Sequence, residues 1–137
     1  MDCLFCQIAA KKIPAETIYY ENSGAMAFLD IHPVAPGHTL VIPKVHADNI
    51  LDLDDQIIPL VFGAVQEAVK ILKKAVNPDG FTIGINHGRA AGQAINHFHI
   101  HILPRFDGDN GGSIHTVVKN LNGPEPEKII KKIRALN

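Results

Sequence analysis

The chain has 137 residues, 46% hydrophobic and 20% charged, with 13 Lys and Arg against 14 Asp and Glu. That length suits one domain with a core able to fold unaided. A net charge of −1 argues against nucleic-acid or membrane-surface binding through bulk electrostatics. No run of about eighteen apolar residues is present, so no transmembrane helix is expected. The opening "MDCLFCQIAAKK" places an acid where a secretory leader needs positive charge, which makes a cytoplasmic location the expectation.

Residues 4–11 are predicted as a short helix, ended before Pro14, which disfavours helix at Ile13. "TIYYEN" (17–22) and "AMAFLD" (25–30) are predicted strands joined by an "SG" turn into a hairpin. A loop punctuated by Pro and Gly, "IHPVAPGH", leads to a third strand over 39–43. The longest helix is expected to start near Asp54 or Asp55. It carries Leu60, Val61, Ala64, Val65, Ala68, Val69 and Leu72 at helical spacing and stops at "NPDG" (77–80). Strands over 81–86 and 97–104 flank the Gly-rich loop "HGRAAGQ". After a loop-like stretch, "PEPEKIIKKIRALN" closes with a helix started by Pro124 or Pro126. The sum is an α+β chain with an antiparallel five-stranded meander sheet, one long helix and short terminal helices.

"HFHIHIL" sets His97, His99 and His101 at every second position, so a strand presents all three on one face and Phe98, Ile100 and Ile102 on the other. The outer pair is then roughly 13 Å apart, too far for all three to meet one zinc at about 2.0–2.1 Å. A tetrahedral phosphate suits the row better, because neighbouring imidazoles supply a nucleophile and a hydrogen-bond donor. A solvent-facing strand rich in histidine is the plain alternative. Cys3 and Cys6, the only two cysteines, form a CxxC pair whose spacing points to metal binding or redox exchange. A thioredoxin-like site is expected to follow a strand in a βαβ unit, and only two residues precede Cys3 here, so metal binding is the stronger expectation.

The motif resembles the signature of the histidine triad (HIT) superfamily of nucleotide hydrolases and transferases, His-φ-His-φ-His-φ-φ with φ apolar. "FCQIAAKKIPAE", "AFLDIHPVAPGHTLVIPKVH" and "GINHGRAAGQ" resemble further family blocks in order, so the likeness covers about residues 3–106 of a single HIT domain over 1–137. Residues 107–137 are a loop and terminal helix outside those blocks.

What the resemblance implies is specific. His99 matches the nucleophile that attacks the α-phosphorus and forms a nucleotidyl-histidine intermediate. His101 matches a phosphate-binding histidine, and His38 a fourth histidine completing the cluster. Asn86 and Gln93 match side-chain amide donors to phosphate and leaving group. Asp30 matches the acid that accepts hydrogen bonds from both ribose hydroxyls, while Phe5, Ile8, Phe28 and Ile31 match the base pocket. Each has a plainer reading: a loop histidine, turn residues, a strand-end acid, ordinary core. Ala94 stands where relatives often place Ser or Thr against the departing group. Cys3, Cys6, His46 and His97 match a structural Cys₂His₂ zinc site found in some relatives, and no catalytic cofactor is expected. The resemblance also implies a purine nucleotide substrate and a homodimer; no nucleic-acid or membrane partner is expected, from the charge and the lack of a long apolar run. "HILPR" looks like the dinucleoside-polyphosphate branch and Asn86 like the phosphoramidase branch, so the leaving group stays open. The rival reading is a nucleotide-binding regulatory protein with incidental turnover; a metal-dependent hydrolase using the HxH pairs is a third.

Overall fold

The computed structural model describes residues 2–119, 123 and 125–136. Helix α1 (Leu4–Ala9) precedes β1 (Ile18–Glu21), β2 (Ala25–Leu29) and β3 (Thr39–Pro43). Long helix α2 (Ile58–Val76) follows, then β4 (Gly80–Gly84), β5 (Ile100–Arg105) and α3 (Pro126–Arg134). The five strands form one antiparallel sheet in the order β1-β2-β3-β5-β4. β1 to β3 meander as expected. α2 then carries the chain past β5's place, so β4 lies at the edge and β5 fills in between.

Period-two alternation separates two cores. Ala25, Ala27, Val41, Phe98, Ile100 and Ile102 face α2 and meet Val61, Ala64, Val65, Ala68 and Leu72. Those α2 residues recur at helical spacing, as the sequence pattern requires. Met26, Phe28, Leu40 and Ile42 point to the opposite face, where Phe5 and Ile8 of α1 cover them. α1 covers only part of that face; the histidine row lies beside it.

Two boundaries differ from expectation, each for a local reason. β5 begins at Ile100, not at His97. The β3–β5 register pairs Val41 with Ile100, so Phe98 would fall opposite Pro43. Proline has no N–H to donate to a ladder. The Phe98 N–H goes instead to the Ala47 carbonyl at 2.6 Å. α2 begins at Ile58, later than Asp54 or Asp55. Asp54 caps a preceding turn, accepting from Gln56 N–H on its side chain (2.8 Å) and from Ile57 N–H on its carbonyl (2.9 Å). Pro59 sits in the first helical turn, where its missing N–H costs nothing. The predicted strand over 81–86 is shifted to Gly80–Gly84. α3 starts at Pro126; Pro124 lies outside the described residues. All of α3 is exposed.

No helix among the described residues is long and apolar enough to cross a membrane.

Candidate active site

The loop after β2 and the start of β3 bring Asp30 and His38 to His101 of β5, 63 residues away from His38 in sequence. His38 Nε2 lies 2.9 Å from His101 Nδ1 and 3.5 Å from the Asp30 carboxylate. The Val34 N–H donates to His38 Nδ1 at 3.2 Å. That bond fixes the tautomer: neutral His38 carries its proton on Nε2 and donates it to His101, whose own proton then sits on Nε2. Burial holds His38 below its ordinary pKa. Burial, with the neighbouring His99 and His38, pushes His101 down to about 4. Both rings are neutral donors at pH 7.

His99 is 7% exposed. Its Nδ1–H donates to the His97 carbonyl at 2.7 Å, leaving the lone pair on Nε2. A neutral imidazole with one nitrogen held by a backbone acceptor has the electronic arrangement of a nucleophile. His99 and His101 lie on the wall of a cleft of about 810 Å³ that also includes Asp30, Asn86, Phe5, Ile8, Phe28 and Ile31. Phe5 and Phe28 belong equally to the core beneath it; Ile31 is 76% exposed at its mouth. Ala94 also lines the cleft.

The Gln93 amide is held by backbone groups. Its side-chain oxygen accepts from Gly88 N–H at 2.8 Å, and its amide nitrogen donates to the carbonyls of Asp48 (2.7 Å) and Ile95 (3.0 Å). Every strong donor of that amide is engaged with backbone. Gln93 therefore staples the Gly-rich loop in this arrangement, and Asn86 is the amide that borders the cleft.

Cys3, Cys6, His46 and His97 converge a few ångströms away, with one ligand atom of each within 4.8 Å of the others. His97 Nδ1 lies 3.4 and 3.5 Å from the two sulfurs, and His46 Nδ1 lies 3.2 Å from Cys6 Sγ. A zinc tetrahedron with bonds of about 2.3 Å to sulfur and 2.05 Å to nitrogen has N···S edges of about 3.5 Å. Both rings turn their Nε2–H outward, His97 to the Pro43 carbonyl at 3.0 Å and His46 to Asp48 at 2.7 Å. Acceptors on the far ring nitrogen orient metal-binding histidines in this way. Burial raises the Cys3 thiol, but hydrogen bonds, chiefly from the Cys6 backbone, outweigh it and bring the net shift down; burial and Cys3 hold Cys6 up. The donor set fits zinc, and four protein ligands leave no position for substrate.

Asp30, His38 and His101 also offer ligand atoms within 4.8 Å of one another. There the His38 Nε2 proton already bridges to His101, so a cation would have to break that bond.

A model of the HIT domain family matches residues 10–108. The chain belongs to the HIT family. An uncharacterized HIT-like protein of Methanocaldococcus jannaschii is 43% identical over 130 residues, covering 94% of this chain and 98% of that protein. A zinc-bound histidine triad family protein of Mycobacterium smegmatis matches with a TM-score of 0.74 and 32% identity, over 98% of this chain and 92% of its own. A histidine triad nucleotide-binding protein of Candida albicans matches with a TM-score of 0.82 and 29% identity, over 98% and 94%.

Of the residues expected from the HIT resemblance, this fold brings His99, His101, Asp30 and Asn86 to one cleft, with His38 buried against His101, and the four metal-type ligands to a second cluster. Sequence reasoning missed three contributors. The Val34 N–H is a backbone group and leaves no trace in residue type. Asp48 was detectable, being an acid two residues after His46 in "VHAD". Ile95 joins the cleft wall from the loop before the triad.

Proposed function

We propose that this HIT protein is a hydrolase that cleaves purine nucleotides at the α-phosphate through a nucleotidyl intermediate on His99. The observation that carries the reading is the His99 ring, held at Nδ1 by the His97 carbonyl at 2.7 Å while Nε2 is left with its lone pair. In the first step Nε2 attacks the α-phosphorus; a P–N bond forms as the bond to the leaving group breaks and takes its electron pair. Water then attacks phosphorus, the P–N bond breaks back to the imidazole, and the nucleoside monophosphate departs. Neutral His101 offers its Nε2–H to a non-bridging phosphate oxygen throughout. Asp30 receives the ribose hydroxyls, and Phe5, Ile8, Phe28 and Ile31 receive the base. Dinucleoside polyphosphates and nucleoside phosphoramidates both carry the required α-phosphate. Ala94 offers no hydroxyl to a departing group, which favours a leaving group such as a polyphosphate, already stable as an anion.

Zinc at Cys3, Cys6, His46 and His97 is proposed as structural, cross-linking α1 to the segments that precede α2 and β5. A homodimer is proposed through β4, an edge strand in the chain. Ile83 at 45% exposure and Phe62 of α2 at 48% support it. Residues 1–137 are read as one cytoplasmic HIT domain.

The test is a rapid-quench reaction with nucleotide labelled at the α-phosphate. Label is expected on the peptide containing His99, and His99→Ala is expected to lose turnover by about 10⁴-fold or more while still binding nucleotide. Equal turnover in the variant removes the nucleophile. Binding without turnover in the wild-type protein, on both substrate types, would favour the regulatory reading.

A further inference from the structure

Phe5 stands between the two sites and touches both. Its ring centroid lies 5.3 Å from that of His99 at 82° and 5.8 Å from that of His97 at 81°, both edge-to-face, and 5.7 Å from Phe28. It is only 4% exposed. Cys3 and Cys6, on either side of it in sequence, face His97. His99 itself has one hydrogen bond to hold it, from Nδ1 to the His97 carbonyl. A single bond at one corner of a five-membered ring fixes its tautomer but leaves it free to swing about that corner. The other restraints are flat neighbours: His101 at 5.0 Å on one flank and Phe5 on another.

We propose that Phe5 is a positioning residue for His99, fixing the direction of its Nε2 lone pair, in addition to lining the base pocket. The proposal rests on the reading of His99 as the nucleophile. Attack on phosphorus needs the lone pair aligned with the breaking bond, and a misplacement of about 1 Å in such a geometry costs on the order of 10²-fold in rate. An aromatic ring meeting an imidazole at near right angles resists such swinging because any rotation drives two rigid planes together. An aliphatic side chain of similar bulk fills the space and seals the pocket without presenting a plane. The short helix α1 thus has two jobs at one residue, and the cysteines flanking Phe5 set its depth.

Two variants separate the roles. Phe5→Leu keeps apolar volume and removes the plane. Ile8→Ala opens the same pocket from the same helix and leaves the Phe5 ring in place. For Phe5→Leu, kcat is expected to fall about 10-fold or more with KM changed less than about 3-fold. Ile8→Ala is expected to raise KM with kcat nearly held. A second readout is independent of turnover: ¹³C–¹H relaxation of the His99 ring should report a rigid ring in wild type and Ile8→Ala, and a swinging one in Phe5→Leu. Metal content is measured alongside and is expected to be equal in all three proteins. If Phe5→Leu instead raises KM alone and keeps a rigid His99 ring, Phe5 is a pocket wall and the proposal is overturned. A Phe5→Leu protein that loses metal also overturns it, since the residue then serves the cysteine cluster. If wild type turns over no nucleotide, the nucleophile reading fails, while the ring relaxation still decides whether Phe5 holds His99.

Discussion

Asn86 and Gln93 carry the same amide group, yet their surroundings assign them opposite work. Gln93 spends its amide on Gly88, Asp48 and Ile95. Asn86 is an exposed residue bordering the cleft. Each hydrogen bond between neutral groups contributes about 1 kcal/mol net, and unpaired partners cost more when shielded from water. Gln93→Ala is therefore expected to lower unfolding free energy by about 2–3 kcal/mol in urea titrations. Asn86→Ala is expected to stay within about 0.5 kcal/mol of wild type while weakening nucleotide binding. Equal stability of the two variants would show that the Gln93 bonds are not holding the loop. Residue type alone could not separate the pair, because a glutamine beside glycines looks like a phosphate donor whichever way its side chain turns. The row of His97, His99 and His101 was legible, since alternation fixes a common face. The link from Val34 through His38 to His101 was not, because a backbone donor and a contact across 63 residues leave no periodic signal.

At the scale of elements, α1 is too short to persist alone. Six residues make fewer than two turns, and helix nucleation is unfavourable without tertiary support. Its anchors are Phe5 and Ile8 in the second core and the two cysteines facing His46 and His97. Zinc at that cluster would tie α1 to the segments on either side of it. Chelation, or Cys6→Ser, is expected to lower the melting temperature by at least about 5 °C. It should also speed amide exchange at residues 4–9 far more than in α2. Uniform loss of protection across both helices would mean that the cluster supports the whole fold. α2 itself needs no such clamp: Val61, Ala64, Val65, Ala68 and Leu72 bury a full stripe against the sheet. That stripe is why the helix could be read from periodicity, while its start could not. Asp54 looks like a helix cap in sequence, and only the chain's path shows that it caps the turn before. The place of β4 outside β5 was equally hidden, because strand order depends on how α2 crosses the sheet.

For the whole molecule, burying the histidine cluster has a consequence for acid stability. His101 sits near pKa 4 in the fold, lowered first by burial and then by His99 and His38; in the unfolded chain its pKa is about 6.5. Below 6.5 the unfolded chain therefore binds a proton that the folded protein refuses, so stability rises with pH across the window from 4 to 6.5 and is lost as pH falls through it. Between pH 7.5 and 5 the single group accounts for about 2 kcal/mol. His38 is lowered by burial in the same direction. His46, raised mainly by its bond to Asp48, works the other way. His46 and His97 also shift their protonation on folding, so the clean observable is a difference between proteins. His101→Gln retains a polar side chain at that position but cannot take up the proton. Urea titrations of wild type and His101→Gln at pH 7.5 and 5 are expected to show wild type losing about 2 kcal/mol more than the variant. Equal losses would mean that His101 ionises inside the fold at an ordinary pKa. It would then be charged in part near pH 6, and the neutral chain of donors from Val34 to the phosphate would break there.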